Sequence, residues 1–322
     1  MVDLKVEKVD SPAYEKFLSE NPPADPYSLP QFLNAYREVL DREIEYIQII
    51  RNETPVASCA LFTGTRMAQK LVKLMPIRAY DGVHFRSLDD SKVQKQEYDR
   101  LTALQVLEEY LRKHFSFYQL VFQPGLIDIR PFQWAGAAVV PQYTYIVDLD
   151  TFSPDNYTKS LKEVLRSAEH TGLSEGKCSV AELISLNVLS YERHGRKPPV
   201  SQDALSRLMN RLNGAGLLQI TCVKNKSGEI IAGLATLRTS RGSYFYVSGT
   251  NAQAEKGASH LLYDRVLVAE KEAGRSFVDF VGANTPTINL FKSAFGPRLE
   301  TYFKVRRTNS FPARLASLVK KI

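Results

Sequence analysis

Residues 217–307 constrain the fold more than any other part of the chain. They spell strand, loop, strand, strand, loop, helix, strand, short helix, strand. Apolar runs at 217–223 and 230–237 flank Asn225, Ser227 and Gly228, the residue types of a hairpin turn. Residues 243–248 read as a third strand. Ala258, Leu261, Leu262, Val266, Ala269 and Ala273 then fall on one helix face, which Gly274 ends. Residues 277–281 read as a strand, 286–294 as a short helix and 300–306 as a last strand. A loop that enters a helix N-terminus from a strand offers backbone N–H groups and a helix dipole to a pyrophosphate.

The same series stands in the first half. Phe32, Ala35, Tyr36, Val39 and Leu40 mark a helix face, and Ser28-Leu29-Pro30 before them reads as its start, with Ser28 as the N-cap. Residues 43–50 and 55–63 form a hairpin around 51–54, and 70–77 a third strand. Ala103, Val106, Leu107, Tyr110 and Leu111 mark a second helix, and 117–122 and 143–149 are strands. In the second half Ala204, Leu205, Leu208, Met209 and Leu212 mark a helix before the strand at 217–223, so the order α-β-β-β-α-β occurs twice. A sequence echo accompanies it. Pro131-Phe132-Gln133-Trp134-Ala135-Gly136 precedes Tyr143-Thr144-Tyr145, and Leu290-Phe291-Lys292-Ser293-Ala294-Phe295-Gly296 precedes Thr301-Tyr302-Phe303. The expected class is α/β (α+β): two domains, 1–150 and 151–322, each a mixed, mainly antiparallel sheet flanked by helices. The second carries a helical insertion, 156–213, and a basic tail, 311–322.

At 322 residues the chain has room for two such domains. Its net charge of +7 suits polyanionic partners: CoA, a nucleotide-linked substrate, tRNA or an anionic membrane face. No apolar run approaches the ~20 residues of a membrane span, and residues 1–10 alternate charges unlike a signal peptide. Cys59, Cys178 and Cys222 lie far apart, which reads as reduced thiols of a cytoplasmic protein. The five histidines show no metal-ligand spacing, so no metal is expected. In the tail, Phe311, Leu315, Leu318, Val319 and Ile322 oppose Arg314, Lys320 and Lys321, a face that docks on the protein or lies weakly on a membrane surface.

The chain contains no Ser-His-Asp order, CxxC, Walker loop, HExxH or Rossmann glycine fingerprint. Direct acyl transfer asks for none of them, because an activated acyl group needs chiefly orientation and a polar backbone. The candidate donor site is the strand end at Val247 and Gly249 with the loop Gln253, Lys256, Gly257, Ala258 and Ser259. Asp279, in a strand expected to be central, is the candidate base. Tyr263 and Tyr302 are candidates for the acid that protonates a leaving group. Tyr80 and Asp81, in a turn that ends with Gly82, Val83 and His84, and the set Arg130, Trp134 and Tyr143 are candidates for an acceptor cleft. Lys162, Arg166 and His170 recur at i, i+4, i+8, a cationic helical stripe fit for a polyphosphate or simply solvated.

In combination, several segments resemble the tandem-GNAT proteins related to Fem-type peptidoglycan-bridge aminoacyltransferases. They are Tyr80-Asp81-Gly82-Val83, Pro131-Phe132-Gln133-Trp134, residues 143–149, residues 161–173, Gly257-Ala258-Ser259-His260-Leu261-Leu262, and Val278-Asp279-Phe280-Val281-Gly282-Ala283 with residues 290–296. The resemblance implies two GNAT-like domains, an acceptor groove on the first or between them and an acyl donor on the second. It implies transfer to an amine of a cell-envelope sugar or peptide, with acetyl-CoA or another acyl-CoA as leading donor and aminoacyl-tRNA as runner-up. A non-catalytic binding protein is the third reading. It sets Tyr80, Asp81 and Arg166 beside the groove and Phe291 and Lys292 at the acyl-transfer centre. Two departures stand out: the phosphate loop ending at Gly257 matches the family pattern only in part, and Val281 stands where relatives often carry a carboxylate.

Overall fold

A computed structural model describes residues 4–23, 25–73, 75–86, 92–193, 195–251 and 256–309. Gln253 and the tail 311–322 lie outside the described residues.

In chain order the first elements are β1 (Leu4–Val9), α1 (Ser11–Glu20), α2 (Pro30–Leu40), β2 (Glu43–Arg51), β3 (Thr54–Arg66), β4 (Gln69–Val72), β5 (Val83–Phe85), α3 (Val93–His114), β6 (Phe117–Val121) and α4 (Arg130–Trp134). Then follow β7 (Ala138–Asp148), α5 (Lys159–His170), β8 (Ser174–Gly176), α6 (Val180–Arg193), α7 (Gln202–Gly214), β9 (Leu218–Lys224), β10 (Ile230–Arg238), β11 (Gly242–Thr250), α8 (Ala258–Glu272), β12 (Phe277–Asp279), α9 (Pro286–Ser293) and β13 (Arg298–Thr308). The repeated order is present. Ser28 is not the cap of α2: the N-cap is Leu29, and the Ser28 hydroxyl donates to Asp25 instead.

The chain forms two compact units, Met1–Gln142 with Thr301–Ile322, and Tyr143–Glu300. A single cut at residue 150 would therefore divide neither unit cleanly, because the second takes residues 143–148 of β7 and the first takes residues 301–308 of β13. In the first unit the sheet order is β1-β2-β3-β4-β6-β13, with β5 on β3. Lys304–Thr308 close the sheet antiparallel to β6. Its core gathers Ile47, Cys59, Leu61, Leu104, Leu107, Tyr118 and Phe132.

In the second unit the order is β7-β12-β11-β10-β9-β8. β12 runs antiparallel to β7 and parallel to β11, pairing Gly242 with Phe277, Ser243 with Val278 and Tyr244 with Asp279. It stops there, while β11 continues to Thr250. A bulge opposite Ala235/Thr236 bends β11 in this stretch. The two parallel strands thus part company after Tyr244, and the turn following β12 stands at the parting.

Candidate active site

At the end of β12 the chain makes a turn that few sequences allow. Val281 has φ 49° and Gly282 φ 78°. For a β-branched residue the left-handed region costs about 1–3 kcal/mol, so the surroundings must impose it. They do. Thr144, fully buried on β7, donates its hydroxyl to Asp279 Oδ1 at 2.5 Å and accepts the Gly282 N–H at 3.2 Å. Asp279 Oδ1 also accepts the Val281 N–H at 2.8 Å. Phe280 and Ala283 donate their N–H groups to the carbonyls of Tyr145 and Tyr143, at 2.9 and 2.7 Å. Tyr143 N–H and the Tyr145 hydroxyl reach Asn284 and Asn289, at 2.9 and 2.7 Å.

So held, the turn aims three consecutive carbonyls at one point, and Lys292 Nζ occupies it. It donates to Phe280 O at 2.6 Å, Val281 O at 2.9 Å and Gly282 O at 2.6 Å. All three ammonium donors are satisfied. Lys292 is 7 % exposed. Burial pushes its pKa down to about 8, with the charge of Asp279 pulling the other way. The result is a buried positive charge held directly by three backbone dipoles, with the Asp279 carboxylate as the charged group that acts on it. Beside it an aromatic cluster fills the space between α8, α9 and β11. Phe245 stacks on Phe280 at 4.7 Å, and Phe291 meets Tyr263 at 4.8 Å and His260 at 4.7 Å. Burial raises the Tyr263 phenol well above its ordinary range and lowers His260.

The structure therefore brings Asp279, Lys292, Phe291 and Tyr143 to one turn. It gives other expected residues different places. Asp279 is wholly buried and its Oδ1 is engaged by Thr144 and Val281, a poor situation for a base that must meet an amine. Tyr302 belongs to the first unit, where its ring packs edge-on against Tyr80 at 5.3 Å. Tyr80 and Asp81 are buried rather than lining a cleft. Asp81 pairs with Arg78, a residue that sequence reasoning passed over, and accepts the Val121 N–H at 2.8 Å. Asp25 and His84 are buried close by, 3.8 Å apart. Trp134 is 62 % exposed on α4, under the Arg130 guanidinium, and Arg166 is exposed on α5.

The expected donor residues also meet protein. A Cβ on Gly249 would lie 2.3 Å from the backbone of Leu186 and Asn187, so α6 needs that glycine. Val247 is buried beside it. Asn187 donates to Ser248 O at 2.7 Å, and Ser190 Oγ accepts the Thr250 N–H at 2.8 Å. The β11 backbone beyond the parting is thus partly taken by α6. Gly257, at φ 99°, is covered by Val164 and Ala168 of α5, and Ala258 is buried; Lys256 is exposed and Ser259 partly so. No side chain caps α8. Both glycines signal close backbone approach, but the partner is a helix of this chain. The Val-Gly pair at 281–282 was the one available sign of the turn, since a glycine there often marks a left-handed bend.

Residues 155–293 match the family model of the GNAT acetyltransferase domain. No curated protein matches the chain by sequence. Among solved structures, FemX aligns with a TM-score of 0.69 at 12 % identity, over 98 % of this chain and 99 % of FemX. L-PGS from Bacillus licheniformis aligns with 0.59 at 17 %, over 98 % and 97 %. A tandem GNAT protein from the clavulanic acid biosynthesis pathway aligns with 0.54 at 10 %, over 96 % and 99 %. At such identities the likeness is one of fold, and it runs the length of the chain. The family match supports an N-acyltransferase, with donor and acceptor open. Residues 155–293 are similar to the GNAT acetyltransferase domain, and the whole chain shares its fold with FemX and with a tandem GNAT protein.

Proposed function

We propose that the chain transfers an acyl group to an amine at the Phe280–Gly282 turn, with an aminoacyl ester on tRNA as donor and an amine of a cell-envelope sugar or peptide precursor as acceptor. The observation that carries this reading is the buried ammonium of Lys292. Attack of an amine on an ester builds negative charge on the carbonyl oxygen and then on the leaving hydroxyl. A fixed cation in a water-poor site stabilises both through space, at no cost of reorganisation. The Lys292 donors are already spent on carbonyls, so its contribution is its field and the shape it gives the turn.

The choice of donor rests on β11 and α8. The edge where a pantetheine arm would lie is engaged by Asn187 and Ser190, and the start of α8 is covered by α5. A donor that presents only its acyl end to the turn fits such a surface. The net charge of +7 and the exposed Arg166 favour a long polyanionic carrier. Such a reaction belongs on the cytoplasmic side, and no helix among the described residues is long and apolar enough to cross a membrane. The second reading keeps acyl-CoA, acetyl-CoA foremost, as donor. The uncapped N-terminus of α8 favours it, with Lys256 and Ser259 as phosphate contacts. Binding of bulk charged tRNA, measured against salt, and calorimetry with acetyl-CoA decide between them. The first reading expects affinity that falls steeply with salt and no acetyl-CoA heat. Tight acetyl-CoA binding with none to tRNA reverses the order.

A further inference from the structure

We propose that Thr144 and Asp279 are the positioning residues of this centre. They fold the Val281–Gly282 turn into the one shape in which three carbonyls converge on Lys292 Nζ, and Asp279 does not act as the base. The inference rests on the reading above only in taking the Lys292 turn for the reacting centre.

The argument is geometric. Left alone, Val281 would leave the left-handed region, and the carbonyls of Phe280, Val281 and Gly282 would point in different directions. Two backbone N–H groups fix the bend. The Val281 N–H goes to Asp279 Oδ1, and the Gly282 N–H goes to Thr144 Oγ1. The same two acceptors are joined by the Thr144 hydroxyl, which donates to Asp279 Oδ1. A closed ring of three hydrogen bonds thus clamps successive peptide groups from one side, while Lys292 holds their carbonyls from the other. Neither half of the clamp suffices: the N–H bonds set the bend, and the ammonium collects the carbonyls. Thr144 comes from β7, so the strand that lies next to β12 sets the chemistry at its end. For Asp279 this role needs an acceptor oxygen at that spot and no ionisation change, which suits a carboxylate with no exposed surface.

The two roles separate by experiment. The full chain, labelled at lysine 13Cε, gives one resonance for Lys292, identified by its loss in Lys292→Met. Its titration midpoint reports the turn, because burial sets it and Asp279 is the one charged group that acts on it. Thr144→Val should move the midpoint from about 8 up toward the ordinary lysine value of about 10.4, as the turn opens to water. Thr144→Ser should leave it in place. Asp279→Asn keeps the acceptor oxygen and removes a negative charge, so the midpoint should fall. Asp279→Ala removes both, so the turn opens and the midpoint should rise. Opposite signs for the two Asp279 variants carry the proposal. A fall in both, or no movement in a folded Thr144→Val chain, overturns it. None of this needs a donor or an acceptor, so a wrong choice of either leaves the test intact.

Discussion

Helices α4 and α9 stand at the same point in the two halves of the repeat, each after a short strand and before the strand that closes the series. In the sequence echo Phe132 answers Phe291 and Gln133 answers Lys292. Phe132 is buried in its core, as Phe291 packs on its own, yet the next residues diverge: Gln133 faces solvent and Lys292 is driven into a nest of carbonyls. The turns before the two helices differ to match. In the second unit three carbonyls converge on an ammonium. In the first, the chain after β6 is tied down by Gln123, whose side chain donates to Val83 O at 3.0 Å. Where the first unit does bury charge, it pairs it: Arg78 lies against Asp81, with its guanidinium 4.8 Å from the Phe62 ring centre. One unit uses its buried cation to hold itself together. The other binds its cation directly to three carbonyls, and the Asp279 charge acts on it through space, an arrangement useful to chemistry.

The sharpest way to break this contrast is to remove each cation. Arg78→Met strands Asp81 in the first unit, and loss of one partner of a buried pair costs about 3–5 kcal/mol. Urea unfolding of the variant should show that loss in full. A change below ~1 kcal/mol would mean that Arg78 is held for a ligand and not for the fold.

Lys292→Met should act chiefly on rate. Transfer should fall about 10²–10³-fold, the scale of losing one preorganised electrostatic group. The orphaned carbonyls should cost about 1–3 kcal/mol of stability at most. Transfer from charged tRNA, followed beside thermal melting, separates the two. Wild-type rates in a folded variant would place the chemistry away from the turn.

Much of this was readable beforehand, and the limits have physical causes. Hydrophobic spacing marked α2, α3, α7 and α8, and the hairpins of β2–β3 and β9–β10, because their buried faces obey a fixed period. The doubled order followed. Lys292 was named by resemblance alone, since its burial depends on a left-handed valine that no propensity favours. Gly249 and Gly257 were named as donor-site residues, but one sequence does not say that α6 and α5 pack against them. Cys178 and Cys222, distant in sequence, interact with each other because β8 pairs Gly176 with Cys222. Asp25, Arg78 and His84 are separated by loops, so their meeting is a matter of tertiary structure only.

The two units should also answer pH in different ranges. Lys292 titrates near 8 in the fold and near ~10.4 unfolded, so the unfolded chain binds more protons between those values. Stability should therefore rise with pH over that window, while transfer falls as the ammonium is lost above 8. The first unit acts below neutrality. Burial raises Asp25 to about 6, which is stability lost as pH rises from ~4 through 6. Burial holds His84 down near 3, which is stability gained as pH rises from there toward ~6.5. The two slopes oppose each other between ~4 and 6. His84→Asn should expose the Asp25 slope, seen as melting temperatures that drop across that range.

The smallest effect tests the comparison most directly. If α4 is α9 without the site, then Gln133→Ala should change stability by less than about 0.5 kcal/mol, the scale of an exposed position, and leave transfer untouched. Gln133→Lys should be as silent. The loop before α4 has one positive-φ residue, Gly125, and not two in succession like Val281–Gly282, and a lysine at 133 keeps its charge in water, where its field is screened. Melting curves and transfer rates for both variants check this. A gain of activity in Gln133→Lys would mean that the lysine alone makes the centre and that the Val281–Gly282 turn is incidental. Silence would mean that the difference between the halves lies in the turn first and in the helix residue second.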